Sequence, residues 1–522
     1  MMRITNAMMT SNTKNNININ KLNEDRLNTQ IATGQVISRP SEDPVVAIRA
    51  LRLNTNLSQL NQYYKKNIPD AQAWLNVTET ALKQTDQIFT NIKENLTTGA
   101  SDTNTPTDRQ KILESLKGLR SELYASGNAD YAERTVFTDY RTQESLTFLE
   151  TDKDLDWNYT IHEEFDTKEL DTLNYVTSYK DPASETDVEK LEIKRIRLAY
   201  DNLSTTQPAD PLTLNIYRPD GSTPPQPVAD TVSVDVISIA GKSQQEIDDI
   251  YRDVDSAAKN AVFIPETGEI LLAKNVADEM EKGANLTGAG PATIDYNKNK
   301  WQSGDLRPEH YFACRQTNPI THTDTVFNCD LDATGKPDYS KPNFQNREME
   351  VEISFNQKIT INTHANQVYT HDIGRDIDDL IKVTQDVVDA DEKITSVEKK
   401  LAAATTDADK DKFQKELDAA KKEYSFKKDK MQKLFSAGLD KFEAYSDRNN
   451  LAISNIGSMQ QRLTITKERV ADQLQSFKEL ADDNINADLT ESSIDFSSAK
   501  LALEAAQLAA GKIAQQTLLN YL

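Results

Sequence analysis

The sequence predicts an α+β multidomain fold, in which N- and C-terminal arms form an elongated helical bundle or coiled coil that carries an inserted β-rich domain. Two observations support this fold class. Apolar residues follow heptad spacing toward both ends of the 522-residue chain, and β-branched residues alternate in its middle. Glycine is also scarce, at 16 residues, which favours helices over a chain of glycine turns.

The N-terminal arm of the helical body is predicted at residues 41–144. It opens with RPSEDPVVAIRAL (39–51), where Ser41 or Asp43 can cap the first helix and Pro44 suits the first helical position. Apolar residues then follow alternating steps of four and three, which indicates a narrow seam of coiled-coil type. They are Val46, Ala50, Leu53, Leu57, Leu60 and Tyr64, followed by Leu75, Leu82, Phe89, Ile92 and Leu96.

The C-terminal arm is predicted at residues 369–482 and contains a longer seam. A polar break at 405–411 within this arm predicts a helical hairpin near 391–435, which we expect to be antiparallel. Charged and amide residues occupy the face opposite the seam. The seam consists of Tyr445, Ala452, Ile456, Met459, Leu463, Thr466, Val470, Phe477 and Leu480, with Asn449 and Gln473 as polar interruptions.

The middle of the chain, residues 145–368, is predicted to form the β-rich outer domain. Its segments alternate or are rich in β-branched residues, and Pro and Gly separate them, as in PDGSTPPQP (219–227). Since helical arms flank this region on both sides, we expect the arms to pack together and the domain to be inserted between them. The predicted strand segments are 191–200, 212–217, 231–240, 261–273 and 350–363.

The two ends of the chain, residues 1–40 and 483–522, have apolar positions that one isolated helix cannot cover. The first is rich in asparagine and is a weak helix former, so we expect it to be disordered in the monomer and helical in a polymer. The second has a wide apolar arc. The predicted assembly residues are Ile4, Met8, Ile19, Leu22, Leu27, Ile31, Leu501, Leu508, Ile513, Leu518, Leu519 and Leu522, and the predicted joint is Arg39, Pro40, Ser41, Asp43 and Pro44.

Composition argues against several classes of function. The net charge of −23 at pH 7 disfavours binding to nucleic acid or to an anionic membrane. No stretch approaches the roughly 20 apolar residues of a membrane span, and the first residues do not resemble a conventional secretory signal. Phosphate-binding, zinc-protease and hydrolase motifs are missing from the sequence. We therefore expect no enzyme activity, no catalytic residue, no cofactor and no metal.

The cysteines and histidines leave three alternatives open. His310, Cys314, His322 and Cys329 could be metal ligands, but their spacing matches no standard zinc finger. A disulfide between Cys314 and Cys329 is the second alternative, and two unpaired thiols are the third. None of the three assigns a function.

Short motifs at both ends resemble the flagellar hook-associated protein 3 family, the hook–filament junction proteins related to flagellin. The opening MRITN (2–6) is similar to the first residues of that family, and Gly34 followed by RPSEDPV (39–45) is similar to its Gly…P-S-(D/E)-D-P-V signature. At the other end, the closing LLNYL (518–522) resembles the family's C-terminal helix. The resemblance covers about the first 100 and the last 80 residues. The outer domain has no family motif, and the hairpin near 391–435 looks like an addition.

The resemblance implies a structural axial protein that forms an adaptor ring between hook and filament. It implies self-association, contacts with a neighbouring hook-associated protein and with flagellin, and a flagellar export chaperone bound at the C-terminal region. It also implies an extracellular location on the bacterial flagellum, reached through the flagellar type III apparatus without a cleaved signal peptide. The alternatives are a flagellin-type filament subunit, a surface adhesin that acts through the β-rich domain, and an enzyme whose site lies near the histidines.

Overall fold

A computed structural model of the chain describes residues 6–101, 104–166, 169–180, 182–222, 224–343 and 347–519. It divides into two units, the first made of Met1–Gln72, Glu350–Ile359 and Gln460–Leu522, and the second of Ala73–Met349 and Thr360–Met459. The α-helices are α1 (Asn6–Thr33), α2 (Pro44–Gln62), α3 (Ile68–Gly99), α4 (Pro106–Gly127), α5 (Gln244–Asp255), α6 (Lys274–Ala284), α7 (Ala365–Val368), α8 (His371–Ala403), α9 (Asp407–Ile485) and α10 (Leu489–Leu519).

The strands of the described residues lie between α4 and α7. They are β1 (Asp130–Tyr131), β2 (Arg134–Thr135), β3 (Asn158–Phe165), β4 (Leu170–Val176), β5 (Lys190–Arg197), β6 (Leu212–Pro219), β7 (Pro227–Val236), β8 (Ala261–Ile264), β9 (Glu269–Leu272), β10 (Ala292–Lys298), β11 (Ala313–Thr317), β12 (Asp324–Phe327), β13 (Cys329–Leu331), β14 (Pro337–Pro342), β15 (Glu350–Ser354) and β16 (Gln357–Thr360). The predicted α+β class, with helical arms and a central β-rich region, is confirmed.

The first unit contains a π-helical turn between α2 and α3, at Tyr63–Asn67. Pro69 explains it, because a proline lacks the N–H of a helix and its ring crowds the carbonyl of the residue four positions before it. The chain accommodates this by a wider turn, in which the N–H of Ile68 donates to the carbonyl of Tyr63. The hairpin of β15 and β16 packs here, where the Tyr63 and Phe355 rings meet edge to face at 5.7 Å.

The helices of the second unit bury the predicted seams. Leu82, Phe89, Ile92 and Leu96 of α3 are fully buried, as are Leu116 and Leu123 of α4. The α4 helix packs on α8, and a bidentate ion pair joins the Arg120 guanidinium to the Asp378 carboxylate, with its shorter contact at 3.0 Å. Asn449, a polar interruption of the predicted seam, is also buried. Its side-chain amide donates to the Leu82 carbonyl at 2.9 Å, so the N–H group keeps a hydrogen-bond partner away from water.

A ten-stranded sheet forms the β-rich part of the second unit, in the order β12-β11-β3-β10-β6-β7-β8-β9-β5-β4. Neighbouring strands are antiparallel except for the parallel pair β7 and β8. All five predicted strand segments contain strands. The sequence pattern did not predict α5 and α6, nor the strands β1 to β4 and β10 to β14, of which β1 and β2 lie in the predicted N-terminal helical arm. The hairpin of β15 and β16, which lies within the predicted outer domain, contributes Glu350–Ile359 to the first unit.

Candidate assembly interface

The helices α1 and α10 pack against each other as an antiparallel pair in the first unit. Near one end of the pair, Gln35 and Asn486 form an antiparallel bridge. About 15 residues into α1, the Asn20 side-chain amide approaches the Ala502 carbonyl at 3.4 Å. The residue number rises on one helix as it falls on the other, so the two terminal segments of the chain run in opposite directions.

One face of α1 forms a heptad seam. The less exposed positions along this helix recur in steps of four and three, which is the spacing of residues that face a partner helix. Three of them are apolar, Ile17, Leu27 and Ile31, and Leu27 is only 4% exposed. The seam consists of Thr13, Ile17, Asn20, Glu24, Leu27 and Ile31, and Gln30 beside it is also buried, where its amide donates to the Val36 carbonyl at 2.6 Å.

The α10 helix has a matching seam. Its buried and half-buried positions again alternate in steps of four and three. Apart from one phenylalanine and one leucine, they are small, which allows the two helices to approach closely. The set is Ser492, Phe496, Ala499, Leu503, Ala506 and Ala510.

The opposite face of each helix exposes large apolar side chains. At about 100° per residue, Met8, Ile19 and Leu22 cluster on α1 about 150° from the centre of its seam. On α10, Ile494, Leu501 and Leu508 recur at intervals of seven residues and lie about 180° from the seam. Leu22 is 69% exposed and Leu508 is 71% exposed. We name these six residues the outer stripes.

The predicted assembly residues therefore fall into three groups. Met8, Ile19, Leu22, Leu501 and Leu508 lie on the outer stripes, whereas Leu27 and Ile31 lie on the seam and are covered by the same chain. Ile4 and Leu522 lie outside the described residues. Ile513, Leu518 and Leu519 lie in the range of α10, but their side chains are outside the description. The sequence analysis missed Ile17, Ile494, Phe496 and Leu503, although the seven-residue spacing from Leu501 could have revealed Ile494.

The predicted N-terminal joint is a capped turn. The N–H of Glu42 donates to the Arg39 carbonyl at 3.0 Å, and the Glu42 carboxylate accepts from the N–H of Ser38 at 2.9 Å. Asp43 is the N-cap of α2, since its carboxylate accepts from the N–H groups of the second and third residues that follow it. Pro44 occupies the first helical position. Of the two predicted caps, the structure therefore selects Asp43, while Ser41 is exposed beside Pro40.

A second joint, which we name the C-terminal joint, connects α9 to α10. The α9 helix ends at Ile485 and α10 begins at Leu489, so three residues connect them. Asp488 caps α10, because its carboxylate accepts from the N–H of Thr490 at 2.7 Å and of Glu491 at 3.2 Å. These backbone hydrogen bonds, first that of Glu491, lower the pKa of Asp488 below its ordinary value. A sharp, capped turn therefore separates each terminal helix from the helix next to it along the chain.

The α2 helix adds an apolar surface that the sequence analysis assigned to no partner. Val45, Ile48 and Leu51 follow steps of three along one side of α2 and are 53–66% exposed. The predicted intramolecular seam of the same helix uses other positions, and Leu60 on that seam is fully buried. The first unit therefore also exposes large apolar side chains on α2.

The histidines and cysteines do not share one site. His162 contacts Asp295 at 2.6 Å, His364 contacts Asp139 at 2.6 Å, and His322 is exposed. Cys314 is buried and Cys329 is half-buried, and both are free thiols. The four residues considered as zinc ligands therefore do not form a group in the described part of the chain.

No helix among the described residues combines the length and the hydrophobicity that crossing a bilayer requires. This holds for the longest of them, α9, because charged residues recur along its whole length.

Sequence comparisons relate the N-terminal region to flagellar proteins. Residues 4–142 match the bacterial flagellin N-terminal helical region family. Flagellar hook-associated protein 3 of Salmonella typhimurium is 27% identical over 143 residues, which are 27% of this chain and 45% of that protein. A flagellin of Clostridium tyrobutyricum is 26% identical over 145 residues, which are 28% of this chain and 36% of that protein. The chain thus matches less than half the length of these curated relatives.

Two solved structures were also found to be similar. The flagellar junction protein of Legionella pneumophila aligns over 82% of this chain and 99% of its own, with 9% identity and a TM-score of 0.25. FlgL of Xanthomonas campestris aligns over 79% of this chain and 99% of its own, with 10% identity and a TM-score of 0.19. The family match at residues 4–142 and the curated relatives confirm the resemblance to flagellar hook-associated protein 3.

Proposed function

We propose that this protein is a structural axial component of the bacterial flagellum, an adaptor that joins hook to filament through self-assembling terminal helices. The observation that carries the proposal is the pair of outer stripes. Each terminal helix covers one face with the other helix of its own chain and leaves a second apolar face exposed. Such a two-faced helix can contact its own chain and a neighbouring copy at the same time.

A comparison of the free energy of side-chain burial with the cost of association favours an assembly with repeated contacts over a simple dimer. Full burial of a large aliphatic side chain stabilises by about 1.5–3 kcal/mol, and the six outer-stripe residues are already partly covered. Their burial therefore contributes roughly 6–12 kcal/mol, which is comparable with the cost of about 4–15 kcal/mol for association. A single such contact is marginal. A closed ring, in which every subunit makes the contact twice, is a stable arrangement.

The named partners and the location follow from the same proposal. In it the chain forms a ring with copies of itself, contacts a neighbouring hook-associated protein on one side and flagellin on the other, and is held by an export chaperone at its C-terminal region before assembly. It reaches the outside of the cell through the flagellar type III apparatus without a cleaved signal peptide. The flagellar relatives support the location, and the exposed stripe of α10 offers an apolar surface for a chaperone.

The experiment that tests the proposal compares two double variants. Leu501→Gln with Leu508→Gln removes most of the α10 stripe, and motility of cells that carry only this variant is expected to fall to background. The purified variant should keep the helical circular dichroism signal of the wild type, because neither side chain contributes to the seam. Leu451→Gln with Val228→Gln changes two apolar residues of the second unit that are 63% and 50% exposed and should leave motility unchanged.

Normal motility of the α10 stripe variant would contradict the proposal. Loss of its helical signal would instead show that the stripe supports the monomer fold, which also contradicts the argument. Secretion into the medium is measured in the same cells, so that failure to assemble is distinguished from failure of export.

A flagellin-type filament subunit is the second candidate, and the match to a clostridial flagellin favours it. Electron microscopy of the purified protein distinguishes the two. A filament subunit extends into long filaments on its own or on filament seeds, whereas an adaptor binds to ends and does not elongate them.

A further inference from the structure

Two short segments of the second unit bring together ligands that suit a metal ion. One oxygen from Glu144, one from Glu309 and one ring nitrogen of His310 lie within 4.8 Å of one another, and this is the only such group among the described residues. From these groups we infer a binding site for a divalent transition-metal cation, Zn²⁺ or Mn²⁺. The inference does not depend on the proposed flagellar function.

The first observation is an unsatisfied carboxylate oxygen. Glu309 is only 3% exposed, and its Oε1 accepts from the Arg307 guanidinium at 3.2 Å. Its Oε2 is buried without a hydrogen-bond partner. A buried acceptor that is left unpaired costs free energy comparable with a lost hydrogen bond. A bound cation would give Oε2 of Glu309 the partner that the described residues do not provide.

The second observation is the state of His310. This residue is 5% exposed, and its Nε2 lies 3.1 Å from the carbonyl of Ser145. A ring N–H that donates to a backbone carbonyl leaves the other nitrogen, Nδ1, with a free lone pair, and metal-binding histidines are usually oriented in this way.

The backbone holds the two ligand segments side by side. Thr147 and Leu306 form an antiparallel bridge, and the N–H of Arg307 donates to the Leu146 carbonyl at 3.0 Å. Glu144 and Ser145 precede one side of this bridge, and Glu309 and His310 follow the other. The same connection therefore brings Glu144 to the site and holds the His310 ring.

The local charge also suits a cation. The guanidinium of Arg307 is shared by the carboxylates of Asp152, Asp154 and Glu309, at 2.7, 2.9 and 3.2 Å. Arg307 thus faces three carboxylates and Glu144 adds a fourth, while Arg141 and Arg347 bring two further positive charges near His310, so the carboxylates outnumber the guanidinium groups by one. Arg141 and Arg347 lie near His310 but donate to the backbone carbonyls of Glu309 and His310.

The ligand types select the metal. One imidazole with two carboxylates suits Zn²⁺ or Mn²⁺ better than Mg²⁺ or Ca²⁺, which prefer oxygen ligands alone. Ligand atoms around a tetrahedral zinc ion lie about 3.3 Å apart, whereas the three ligand atoms here lie within 4.8 Å of one another. They must therefore move closer together when a zinc ion binds. Glu144 is exposed, and a change of its rotamer can supply the contraction, while water completes the coordination.

The test is calorimetric titration of the full chain, stripped of metal with EDTA and dialysed, with ZnCl₂ or MnCl₂. One saturable site per chain is expected for at least one of these cations, together with a rise in the unfolding temperature. Glu144→Gln should weaken the affinity about tenfold or more. Because this side chain is exposed, the variant should fold normally, and it carries the test even if Glu309→Gln fails to fold.

His322→Gln is the matched control, since it removes an exposed histidine of the same unit and should leave the affinity unchanged. The inference is overturned by the absence of saturable binding, by an affinity that Glu144→Gln does not alter, or by a loss of binding in His322→Gln. It is also overturned if MgCl₂ or CaCl₂ binds as tightly as the transition metals.

Discussion

Gln35 pairs with Asn486 in an antiparallel bridge that connects the residues just after α1 with the residues just before α10. Two backbone hydrogen bonds flank it, from the N–H of Val36 to the Ile485 carbonyl at 2.8 Å and from the N–H of Ala487 to the Gly34 carbonyl at 2.9 Å. Since both joints of the first unit meet in this bridge, it sets the register in which the seams of the two terminal helices face each other.

Gly34 is the residue on which this register depends. Its φ of +68° lies in the left-handed region, and a Cβ added there would meet no atom within 4 Å. Gly34→Ala should therefore destabilise the α1–α10 pair by about 1 kcal/mol through backbone strain alone. Hydrogen-exchange mass spectrometry is expected to show roughly fivefold faster exchange of the α1 amides.

Gly118→Ala provides the control for this prediction. Gly118 lies inside α4, again with no atom within 4 Å of an added Cβ, and its φ is not positive. Alanine is a better helix former than glycine by about 1 kcal/mol, so this substitution should slow exchange in α4 and leave α1 unchanged. Unchanged exchange of α1 in Gly34→Ala would show that the bridge does not control the pairing.

The cap of α2 gives a second prediction. Asp43→Ala removes the acceptor of two helix N–H groups and should destabilise α2 by about 1 kcal/mol. Ser41→Ala, two residues away in the same turn, removes a side chain that caps nothing and should change stability by less than about 0.5 kcal/mol. Hydrogen exchange of the α2 amides measures both changes, and an equal effect of the two substitutions would contradict the assignment of Asp43 as the cap.

The α9 helix shows how far the heptad pattern predicts packing. Ile456, Leu463 and Val470 on the predicted seam are at most 1% exposed. The predicted seam continues to Leu480, which is 54% exposed, and Leu474 is buried in place of Gln473. The observed seam goes from Val470 to Leu474, a step of four, whereas the predicted seam goes from Val470 to Gln473, a step of three. A strict heptad pattern repeats every 3.5 residues but an α-helix has 3.6 residues per turn, so the buried face of a long helix drifts away from the heptad positions.

The α1–α10 pair shows what the sequence pattern could not predict. Half of the α1 seam consists of polar residues, Thr13, Asn20 and Glu24, so hydrophobic periodicity does not identify the face that packs. The exposed residues Ile19 and Leu22 are more conspicuous in the sequence, and they are among the predicted assembly residues. The hydrophobic pattern of a helix shows which of its faces is apolar. It does not show which face packs against another helix, because that helix, here α10, lies far away along the chain.

A third prediction concerns Asp379, which contacts two guanidinium groups. Its carboxylate accepts from Arg195 at 2.9 Å and from Arg197 at 2.8 Å. Burial opposes its ionisation, but the two arginines outweigh burial and hold the pKa of Asp379 below its ordinary value. Asp379→Asn leaves both arginines undercompensated and should lower the free energy of unfolding by about 3 kcal/mol.

Asp389→Asn is the control for Asp379, because Asp389 lies on the same helix and is exposed. Urea unfolding at pH 7 should show little change in this variant. Because the folded pKa of Asp379 is lowered, its contribution is present above the unfolded value of about 3.9 and is lost as the pH falls below it. The difference between wild type and Asp379→Asn should therefore shrink in acid, and a difference that stays constant down to pH 2 would contradict the ion-pair argument.

Glu163 gives the fourth prediction, with the opposite dependence on pH. It is fully enclosed next to the Tyr296 hydroxyl, which donates to it at 2.6 Å, and the N–H of Ala199. Burial raises the pKa of Glu163 to about 8, although both hydrogen bonds act against the rise. The folded state therefore keeps a proton that the unfolded chain loses above its ordinary pKa of about 4.3.

The sign follows from proton linkage. Between about pH 4.3 and 8 the folded state binds more protons at this group, so the free energy of unfolding falls by up to about 1.4 kcal/mol for each pH unit gained. Glu163→Gln removes this contribution, whereas Glu164→Gln, at an exposed neighbouring position, retains it. Urea unfolding between pH 4.5 and 8 should therefore give a shallower pH dependence in Glu163→Gln alone. Parallel curves for the wild type and Glu163→Gln would show that Glu163 is ionised in the folded protein and would contradict the raised pKa.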